Sequence, residues 1–338
     1  MASRNPRVTV LGGGSWGTTI GSLAARNTET VLWARNEETV TDINERSRNS
    51  RYLQDIPVTK TLRATTDLEE AVAEADVLVL GVPSQHSRGV LEQVTKHVRP
   101  WVPVVSLVKG LEQGSSKRMT AIVEEVMPGH PAGVLAGPNI AREVLQGYAA
   151  AATIAMPEHR QAEMLQELFR TNLFRVYTTT DVTGVEYAGS LKNVYAIAVG
   201  VGDGLEAGDN TRAMVITRAL REMTRLGVSL GGDAMTFNGL AGMGDLIATC
   251  TSPFSRNRTV GVGLAQGKSL DQIAAEMNQV AEGVKTVATV MKLAAEQGID
   301  LPIAREMDAV LNHGQPVKET YRGLLRQAPG HEVHGDEW

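Results

Sequence analysis

The chain has 338 residues, of which 42% are hydrophobic and 21% charged, and its formal net charge is −5. A single core rarely grows past ~250–300 residues, so we expect a soluble globular protein with two domains. The acidic balance argues against a general nucleic-acid-binding protein. The only cysteine, Cys250, excludes an internal disulfide and a paired-cysteine metal site, which fits a reducing, cytoplasmic setting.

Two further classes of protein find no support in the sequence. We see no targeting segment, and the least polar stretch, 194–202, is far shorter than the ~20 residues of a membrane-spanning helix. The seven histidines are scattered, and there is no H-E-x-x-H motif or Cys/His cluster. We therefore expect neither a membrane span nor a catalytic metal.

Short apolar runs alternate with amphipathic stretches through the first half of the chain. Runs typical of strands occupy 8–11, 30–33, 61–64, 77–82, 102–108, 134–136, 149–155 and 174–177. Stretches with helical spacing follow the early runs at 18–26, 36–45 and 67–73. Continuous apolar runs suit parallel strands that are buried on both faces. This order predicts an α/β domain over residues 1–180, built on an open, doubly wound sheet.

The pattern changes after about residue 180. Thr183-x-x-Glu186 resembles a capping box at the start of a helix, and the apolar spacing is then helical nearly to the end. Glycine- or proline-rich breaks interrupt it at 200–208, 231–232, 252–253 and 298–302. We predict an all-α second domain over 181–328 and a polar, disordered tail over 329–338.

A glycine-rich motif joins the first predicted strand to the first predicted helix. It reads Gly12-Gly-Gly14-Ser-Trp-Gly17, which is G-x-G-x-x-G. The first glycine permits a tight turn, the second lets the backbone approach a pyrophosphate, and the third lets the helix pack against the strand. The start of the helix then offers its N–H groups to phosphates. The motif predicts a Rossmann-type dinucleotide site, the alternative being a plain glycine-rich turn.

Arg35 follows the second predicted strand, about 20 residues past the glycine motif, where an arginine suits the 2′-phosphate of NADP. We therefore expect NADP(H) to be the preferred cofactor. Asn36 weakens this preference, and Glu37 and Glu38 would tolerate NAD(H), so use of both cofactors stays open. The alternative is an arginine that stacks on the adenine without discriminating.

Two lysines lie at positions where a cation could bind a substrate or transfer a proton. Lys109 follows the run 102–108, at a strand end where doubly wound folds bind ligands, and would hold an anionic or carbonyl substrate. Lys192 lies early in the most apolar predicted helix, where burying an ammonium group is costly unless it is paired or loses its proton. Such a lysine can act as a general acid or base. The alternatives are a surface lysine and one whose head reaches water.

The segment 245–258, which we interpret as a loop, gathers cationic and hydroxyl side chains. Its candidate phosphate-binding donors are Ser255, Arg256, Asn257 and Arg258. Asp245 would orient a lysine or accept a hydrogen bond from a substrate hydroxyl. The alternative is an exposed basic loop without a ligand.

Several short motifs occur in order along the chain. They are Gly12-Gly-Gly-Ser-Trp-Gly17, Leu32-Trp-Ala-Arg35, Val108-Lys109-Gly110, Ala136-Gly-Pro-Asn139, Leu191-Lys-Asn193, Gly239-Leu-Ala-Gly-Met-Gly-Asp245, Ser255-Arg-Asn-Arg258 and Val280-Ala-Glu-Gly283. Together they resemble the bacterial-type NAD(P)-dependent glycerol-3-phosphate dehydrogenases over roughly residues 7–325. The resemblance implies reduction of dihydroxyacetone phosphate to sn-glycerol 3-phosphate, a phospholipid precursor. It also implies a Rossmann-type domain, a helical domain and a homodimer.

The resemblance, together with the motifs, also implies roles for single residues. The catalytic residues would be Lys192, Lys109 and Asp245. The cofactor would contact Gly12, Gly14, Ser15, Trp16, Gly17, Arg35, Asn36, Lys109, Ala141, Arg256, Val280 and Glu282. The substrate would contact Lys109, Gly137, Asn139, Lys192, Asn193, Asp245, Thr249, Ser255, Arg256 and Asn257. Asn139 stands where many relatives carry serine, and both side chains can donate to a phosphate or hydroxyl.

Three other functions stay open on the residues alone. A different two-domain NADP-dependent dehydrogenase would act on a hydroxyacid and bind a carboxylate. A nucleotide-sugar dehydrogenase would need a thiol nucleophile, for which Cys250 is the only candidate. A non-enzymatic NADP sensor would need neither Lys109 nor Lys192.

Overall fold

The computed structural model describes residues 5–277 and 281–320. The chain divides into two compact units, Met1–Glu186 and Tyr187–Trp338. The predicted tail over 329–338 lies outside the described residues.

A sheet of eight strands forms the described part of the first unit. The strands are β1 Val8–Leu11, β2 Thr30–Trp33, β3 Arg63–Thr65, β4 Val77–Leu80, β5 Val104–Ser106, β6 Ala132–Ala136, β7 Ala150–Ala155 and β8 Phe174–Thr179. Their order is β3-β2-β1-β4-β5-β6-β7-β8, and the first six pair in parallel. This is the strand order of dinucleotide-binding sheets, so the predicted doubly wound sheet is confirmed. The exception is β7, which runs antiparallel to β6 and parallel to β8.

Helices connect the strands of this sheet. They are α1 Ser15–Ala24, α2 Glu37–Arg46, α3 Ser50–Leu53, α4 Leu68–Ala73, α5 Ser84–Val94, α6 Met119–Val126, α7 Ala141–Leu145 and α8 His159–Phe169. The short helix α3 was not expected from the apolar spacing. The other early helices begin within three residues of their predicted starts.

The central strands are buried on both faces, as their continuous apolar runs predict. Successive side chains of a strand point to opposite faces of the sheet. Val10 and Val79 accordingly join one hydrophobic cluster, while Leu11 and Leu80 join the other. All four side chains are fully buried, so truncating Leu80 to alanine should cost about 2–5 kcal/mol of unfolding free energy.

The described part of the second unit is helical and contains no strand. The helices are α9 Val182–Gly204, α10 Asp209–Ser229, α11 Ala234–Phe237, α12 Asp245–Thr251, α13 Arg256–Ala265, α14 Leu270–Met277, α15 Glu282–Glu296 and α16 Pro302–His313. The division between the units falls inside α9. Among the described residues, none of the helices has the length and apolar character needed to span a membrane.

The start of α9 differs from the predicted capping box. Asp181 Oδ1 accepts from the N–H of Gly184 at 2.8 Å and so caps the helix. The buried Glu186 carboxylate instead pairs with Arg118 at 2.6 Å and accepts from the Thr120 N–H at 3.0 Å. The capping-box prediction was wrong because a buried carboxylate needs a charged partner more than it needs a local N–H.

The predicted break at 200–208 begins later than expected, because α9 continues to Gly204. A Cβ atom at Gly200 would lie 2.1 Å from the carbonyl oxygen of Arg258, and one at Gly261 would lie 2.1 Å from that of Ile197. Helices α9 and α13 therefore pack backbone against backbone. Part of the glycine content serves this close approach and not a turn.

Candidate active site

The glycine motif forms a turn with room for a ligand on one side only. Gly12 has φ +123°, and a Cβ there would lie 2.8 Å from the backbone of Gly81. A Cβ at Gly17 would lie 2.2 Å from the carbonyl oxygen of Gly12. At Gly14, which precedes α1, a Cβ would meet nothing within 4 Å. The open side faces the start of a helix, which is what a pyrophosphate needs.

Two side chains in the first turn of α1 flank this opening. The ring of Trp16 meets that of Phe174 edge-on, with centroids 6.2 Å apart. Its Nε1 is buried and has no hydrogen-bond partner among the described residues. Ser15 Oγ donates to the carbonyl oxygen of Tyr52 at 3.2 Å. A buried unpaired N–H costs about 1–3 kcal/mol, so Trp16 fits a site that a polar ligand completes.

Arg35 and Asn36 follow β2 at the same edge of the sheet. Arg35 is exposed. Asn36 caps α2, because its Oδ1 accepts from the N–H of Thr39 at 2.9 Å. Glu37 and Glu38 lie in the first turn of α2, where carboxylates are stabilised by the helix dipole. Asn36, Glu37 and Glu38 therefore have a local structural use, and discrimination between the cofactors by Arg35 stays a prediction.

Parallel strands bring Lys109 and Gly137 together at the carboxyl edge of the sheet. The Lys109 ammonium group donates to the Gly137 carbonyl oxygen at 3.0 Å. Asn139 Nδ2 donates to the carbonyl oxygen of Ala151 at 2.8 Å, whereas Asn139 Oδ1 is buried without a partner among the described residues. An acceptor in that position suits a ligand hydroxyl.

The remaining predicted cofactor positions are spread over both units. Ala141 is the first residue of α7, and Glu282 is the first residue of α15. Arg256 is the first residue of α13. Val280 lies outside the described residues.

Lys192 is buried in the second unit, with its side chain about 4% exposed. Its Nζ lies 2.6 Å from Thr249 Oγ1, 3.2 Å from Asn193 Oδ1 and 3.3 Å from Asp245 Oδ1. The head of Lys192 therefore does not reach water, and the alternative of a solvated lysine was wrong. The ammonium group is held by a carboxylate and two neutral oxygens, which is how a protein can keep a charge buried.

Asp245 and Thr249 lie one turn apart on α12, so the interpretation of 245–251 as a loop was wrong. A π-helical turn, Leu240–Gly244, leads into α12, and a Cβ at Gly242 would lie 2.0 Å from the carbonyl oxygen of Phe237. The hydroxyl of Thr249 donates to the carbonyl oxygen of Asp245 at 2.6 Å. The glycine run therefore continues the helical path, and the threonine fits it by bonding to the preceding turn.

The start of α13 holds the predicted phosphate-binding residues. Ser255 caps the helix by accepting from the N–H of Arg258, and Arg256 and Asn257 lie in its first turn, which offers N–H groups to an anion. Arg258 is held elsewhere, with its Nε 2.6 Å from Asp203 Oδ2. Asp203, which the sequence did not single out, also binds Arg212 at 2.8 Å. The two arginines of the motif therefore have different surroundings.

Three groups form a hydrogen-bonded chain behind Lys192, which we call the amide relay: the Gly283 N–H and the side chains of Asn257 and Asn193. The N–H of Gly283 donates to Asn257 Oδ1 at 2.9 Å. Asn257 Nδ2 donates to Asn193 Oδ1 at 2.9 Å, and that same oxygen accepts from Lys192. Gly283 was not among the predicted site residues, because only its place in space reveals the contact.

Cys250 does not have the surroundings of a nucleophile. It is fully buried in α12, and burial raises the pKa of its thiol to about 12. A thiol in that state is not ionised near neutral pH. The nucleotide-sugar dehydrogenase alternative therefore lacks its nucleophile. Within the described residues there is also no cluster of three metal-ligating side chains.

Comparison with known proteins distinguishes among the enzymes that use such a fold. Residues 7–162 match the model described as NAD-dependent glycerol-3-phosphate dehydrogenase N-terminus, and residues 181–322 match that of the C-terminus. The chain belongs to the NAD-dependent glycerol-3-phosphate dehydrogenase family. The resemblance inferred from the ordered motifs is confirmed, and membership of this family makes the chain an oxidoreductase and not a sensor.

Individual members of the glycerol-3-phosphate dehydrogenase family agree over nearly the whole chain. Glycerol-3-phosphate dehydrogenase [NAD(P)+] of Mycobacterium avium (strain 104) is 63% identical over 333 residues, 98% of each chain. Glycerol-3-phosphate dehydrogenase [NAD(P)+] 1 of Mycobacterium tuberculosis (strain ATCC 25618 / H37Rv) is equally similar, with 63% identity and 98% of each chain covered. The crystal structure of glycerol-3-phosphate dehydrogenase from Coxiella burnetii has a TM-score of 0.91 and 32% identity, covering 96% of this chain and 99% of that one.

Proposed function

We propose that the chain reduces dihydroxyacetone phosphate to sn-glycerol 3-phosphate reversibly, with NADPH preferred over NADH, and so supplies the glycerophospholipid backbone. The observation that carries the proposal is the buried ammonium group of Lys192 between Asp245 and Thr249, in a member of this family. Residues 1–180 would bind the cofactor, and residues 181–328 would bind the substrate and carry the proton donor.

The nicotinamide cofactor, when bound, supplies the hydride that reduces the substrate carbonyl. The turn at Gly12, Gly14 and Gly17 would hold its pyrophosphate, with Ser15 and Trp16 beside it. The guanidinium of Arg35 would contact the 2′-phosphate of NADP, which NAD lacks. Ala141, Glu282 and Val280 complete the expected contacts.

Lys192 would act as the proton donor. Hydride transfer to the carbonyl carbon leaves negative charge on the carbonyl oxygen, and the Lys192 ammonium would donate a proton to that oxygen. The carboxylate of Asp245, 3.3 Å away, pairs with this ammonium group, and the hydroxyl of Thr249 orients it. In the reverse direction the neutral amine would accept the proton of the substrate hydroxyl.

In the first unit, Lys109 would supply electrostatic stabilisation of negative charge on the substrate. The Lys109 ammonium carries a positive charge at the strand end, and its hydrogen bond to Gly137 fixes its direction. The unpartnered Oδ1 of Asn139 would accept from a substrate hydroxyl.

The substrate phosphate would bind at the start of α13. Arg256 supplies a guanidinium that can make two parallel hydrogen bonds, and the first-turn N–H groups, including that of Asn257, supply further donors. Ser255 completes the set. Binding the phosphate at a distance from the carbonyl positions the reacting carbon.

A homodimeric assembly in the cytoplasm belongs to the same proposal. The resemblance to the family supports the dimer, and a single buried thiol suits a reducing compartment. Analytical ultracentrifugation of the purified chain measures the assembly directly, and a monomeric mass would overturn the dimer.

The experiment that tests the function is a comparison of substrates and cofactors. Purified chain is mixed with NADPH or NADH, and the loss of reduced nicotinamide is followed with dihydroxyacetone phosphate or with a 3-oxo acid. We expect turnover with dihydroxyacetone phosphate and none above background with the carboxylate. The Lys192→Ala variant, prepared in parallel, controls for contaminating dehydrogenases. Turnover of the carboxylate alone would overturn the proposal.

A further inference from the structure

The backbone N–H of Gly283 is the fixed end of the amide relay. Gly283 is the second residue of α15, so its N–H has no partner inside the helix. Asn257 Oδ1 accepts from it at 2.9 Å and thus caps a helix to which it does not belong. All three residues of the relay are buried.

This fixed donor determines how both amides are turned. A backbone N–H can only donate, so Asn257 must present its oxygen to Gly283 and its nitrogen to Asn193. Asn193 must then present its oxygen to that nitrogen. The same oxygen faces Lys192, whose ammonium group has donors and no acceptor. A reversed Asn193 amide would turn its N–H donors towards the Lys192 ammonium, and a reversed Asn257 amide would turn its donors towards the Gly283 N–H.

The absence of a side chain at Gly283 is part of the arrangement. A Cβ there would lie 2.6 Å from the carbonyl oxygen of Asn193 and 2.8 Å from Asn257 Oδ1. The first of these atoms is backbone of α9, one residue from Lys192, and cannot swing away. Any side chain at this position must therefore displace α15, Asn257 or the turn of α9 that carries Lys192.

We propose that Gly283 is a positioning residue for Lys192, acting through Asn257 and Asn193. The inference rests on the proposed function only for the role of Lys192 as proton donor. It gives the Asn257 side chain a task beside the phosphate contact expected from the sequence. A displacement of about 1 Å at a reacting group can cost 10²-fold in rate, so a small shift of Lys192 would be measurable.

The test compares two glycine-to-alanine variants in helices. Gly283→Ala introduces the clash, whereas Gly202→Ala places a methyl group in open space on α9, the helix that carries Lys192. We expect kcat about 10²-fold lower in Gly283→Ala and unchanged in Gly202→Ala. Thermal unfolding establishes that both variants fold. If Gly283→Ala folds and its kcat is within about twofold of that of Gly202→Ala, far from the expected loss of about 10²-fold, the proposal is overturned.

The choice of substrate separates positioning from phosphate binding. Dihydroxyacetone lacks the phosphate, so a lost phosphate contact cannot slow its reduction. We expect Gly283→Ala to lower kcat by the same factor with dihydroxyacetone and with its phosphate, and to displace the pH profile of kcat. A loss confined to the KM of the phosphorylated substrate would overturn the positioning role.

Asn257→Asp gives a second test that does not depend on the folding of Gly283→Ala. The new carboxylate still accepts from Gly283 but has no N–H for Asn193, so the Asn193 amide must reverse. We expect kcat to fall with both substrates. An unchanged kcat with dihydroxyacetone would contradict the relay.

A readout without turnover keeps the relay testable if the proposed function fails. The side-chain amide signals of Asn193 and Asn257 in NMR spectra report the hydrogen bonds directly. We expect both signals to shift in Gly283→Ala and neither in Gly202→Ala. Unshifted signals in Gly283→Ala would disprove the relay, whereas shifted signals in a protein that does not reduce dihydroxyacetone phosphate would disprove only the function.

Discussion

The Nζ of Lys192 lies 3.3 Å from Oδ1 of Asp245, and both side chains are about 4% exposed. Burying two charges is expensive, and removing one partner of such a pair leaves the other unpaired at a cost of about 3–5 kcal/mol. A hydrophobic pair of the same volume would serve stability as well. The cost of the pair, without a matching gain in stability, supports its proposed role in proton transfer.

Lys192→Ala tests this explanation. We expect kcat to fall by ~10²-fold or more, the range of general acid–base catalysis, because the carbonyl oxygen loses its proton donor. The affinity for NADPH, measured by tryptophan fluorescence, should change little. Lys268→Ala, which removes a partly exposed lysine paired with Glu276, is the matched control. Near-normal turnover in Lys192→Ala would remove this lysine from the mechanism.

Arg256→Ala tests the phosphate site. We expect the KM for dihydroxyacetone phosphate to rise by about 10-fold or more, since a charged hydrogen bond contributes about 1.5–3 kcal/mol. The rate with dihydroxyacetone, which has no phosphate, should change much less. Arg258→Ala provides the contrast, because Asp203 holds that arginine. Its loss should lower Tm and leave the KM nearly unchanged. An unchanged KM in Arg256→Ala would show that the phosphate binds elsewhere.

The parts of the molecule that the sequence predicts are those determined by local pattern. The run 77–82 predicts a buried parallel strand because every residue in it is apolar, and β4 is buried on both faces. Lys192 can be identified as a candidate because burying an ionisable side chain in an apolar helix is costly unless the group is paired. The glycine motif is identifiable because its spacing and its neighbours agree.

The parts that the sequence does not predict depend on contacts between distant residues. Nothing local distinguishes β7, which runs antiparallel to β6, from its parallel neighbours. Gly200 resembles a helix breaker until α13 lies against it. The relay joins Gly283 to Asn257 and Asn257 to Asn193, which are 26 and 64 residues apart in sequence, so no spacing reveals it.

Arg35→Ala tests the choice between cofactors. Arg35 is exposed at the end of β2, where its guanidinium would contact the 2′-phosphate that only NADP carries. We expect the KM for NADPH to rise by about 10-fold and that for NADH by much less, in line with the loss of one charged hydrogen bond. Arg46→Ala, at the far end of α2, is the control and should affect neither. Equal losses for both cofactors would disprove the discrimination by Arg35.

Glu222 gives a prediction about stability and pH. Its carboxyl is buried on α10 and accepts from the N–H groups of Ile303 and Ala304, at 2.8 and 3.3 Å, in the first turn of α16. Burial raises the pKa of Glu222 from 4.5 to about 7, although these two N–H groups oppose the rise. At pH values between 4.5 and about 7, Glu222 is therefore protonated in the folded chain and ionised in the unfolded chain.

The sign of the effect follows from this difference in bound protons. The stabilising contribution of protonated Glu222 is fully present below pH 4.5 and is lost as pH rises towards about 7. At about 1.4 kcal/mol for each pKa unit, the loss amounts to roughly 3 kcal/mol.

The variant Glu222→Gln tests this loss, because it keeps an acceptor oxygen but cannot ionise. The unfolding free energy of Glu222→Gln minus that of the unsubstituted chain should increase between about pH 5 and about pH 8. Glu276→Gln, an exposed carboxylate paired with Lys268, is the control and should show no such gain. Parallel curves of unfolding free energy against pH for Glu222→Gln and the unsubstituted chain would show that Glu222 does not titrate in this range.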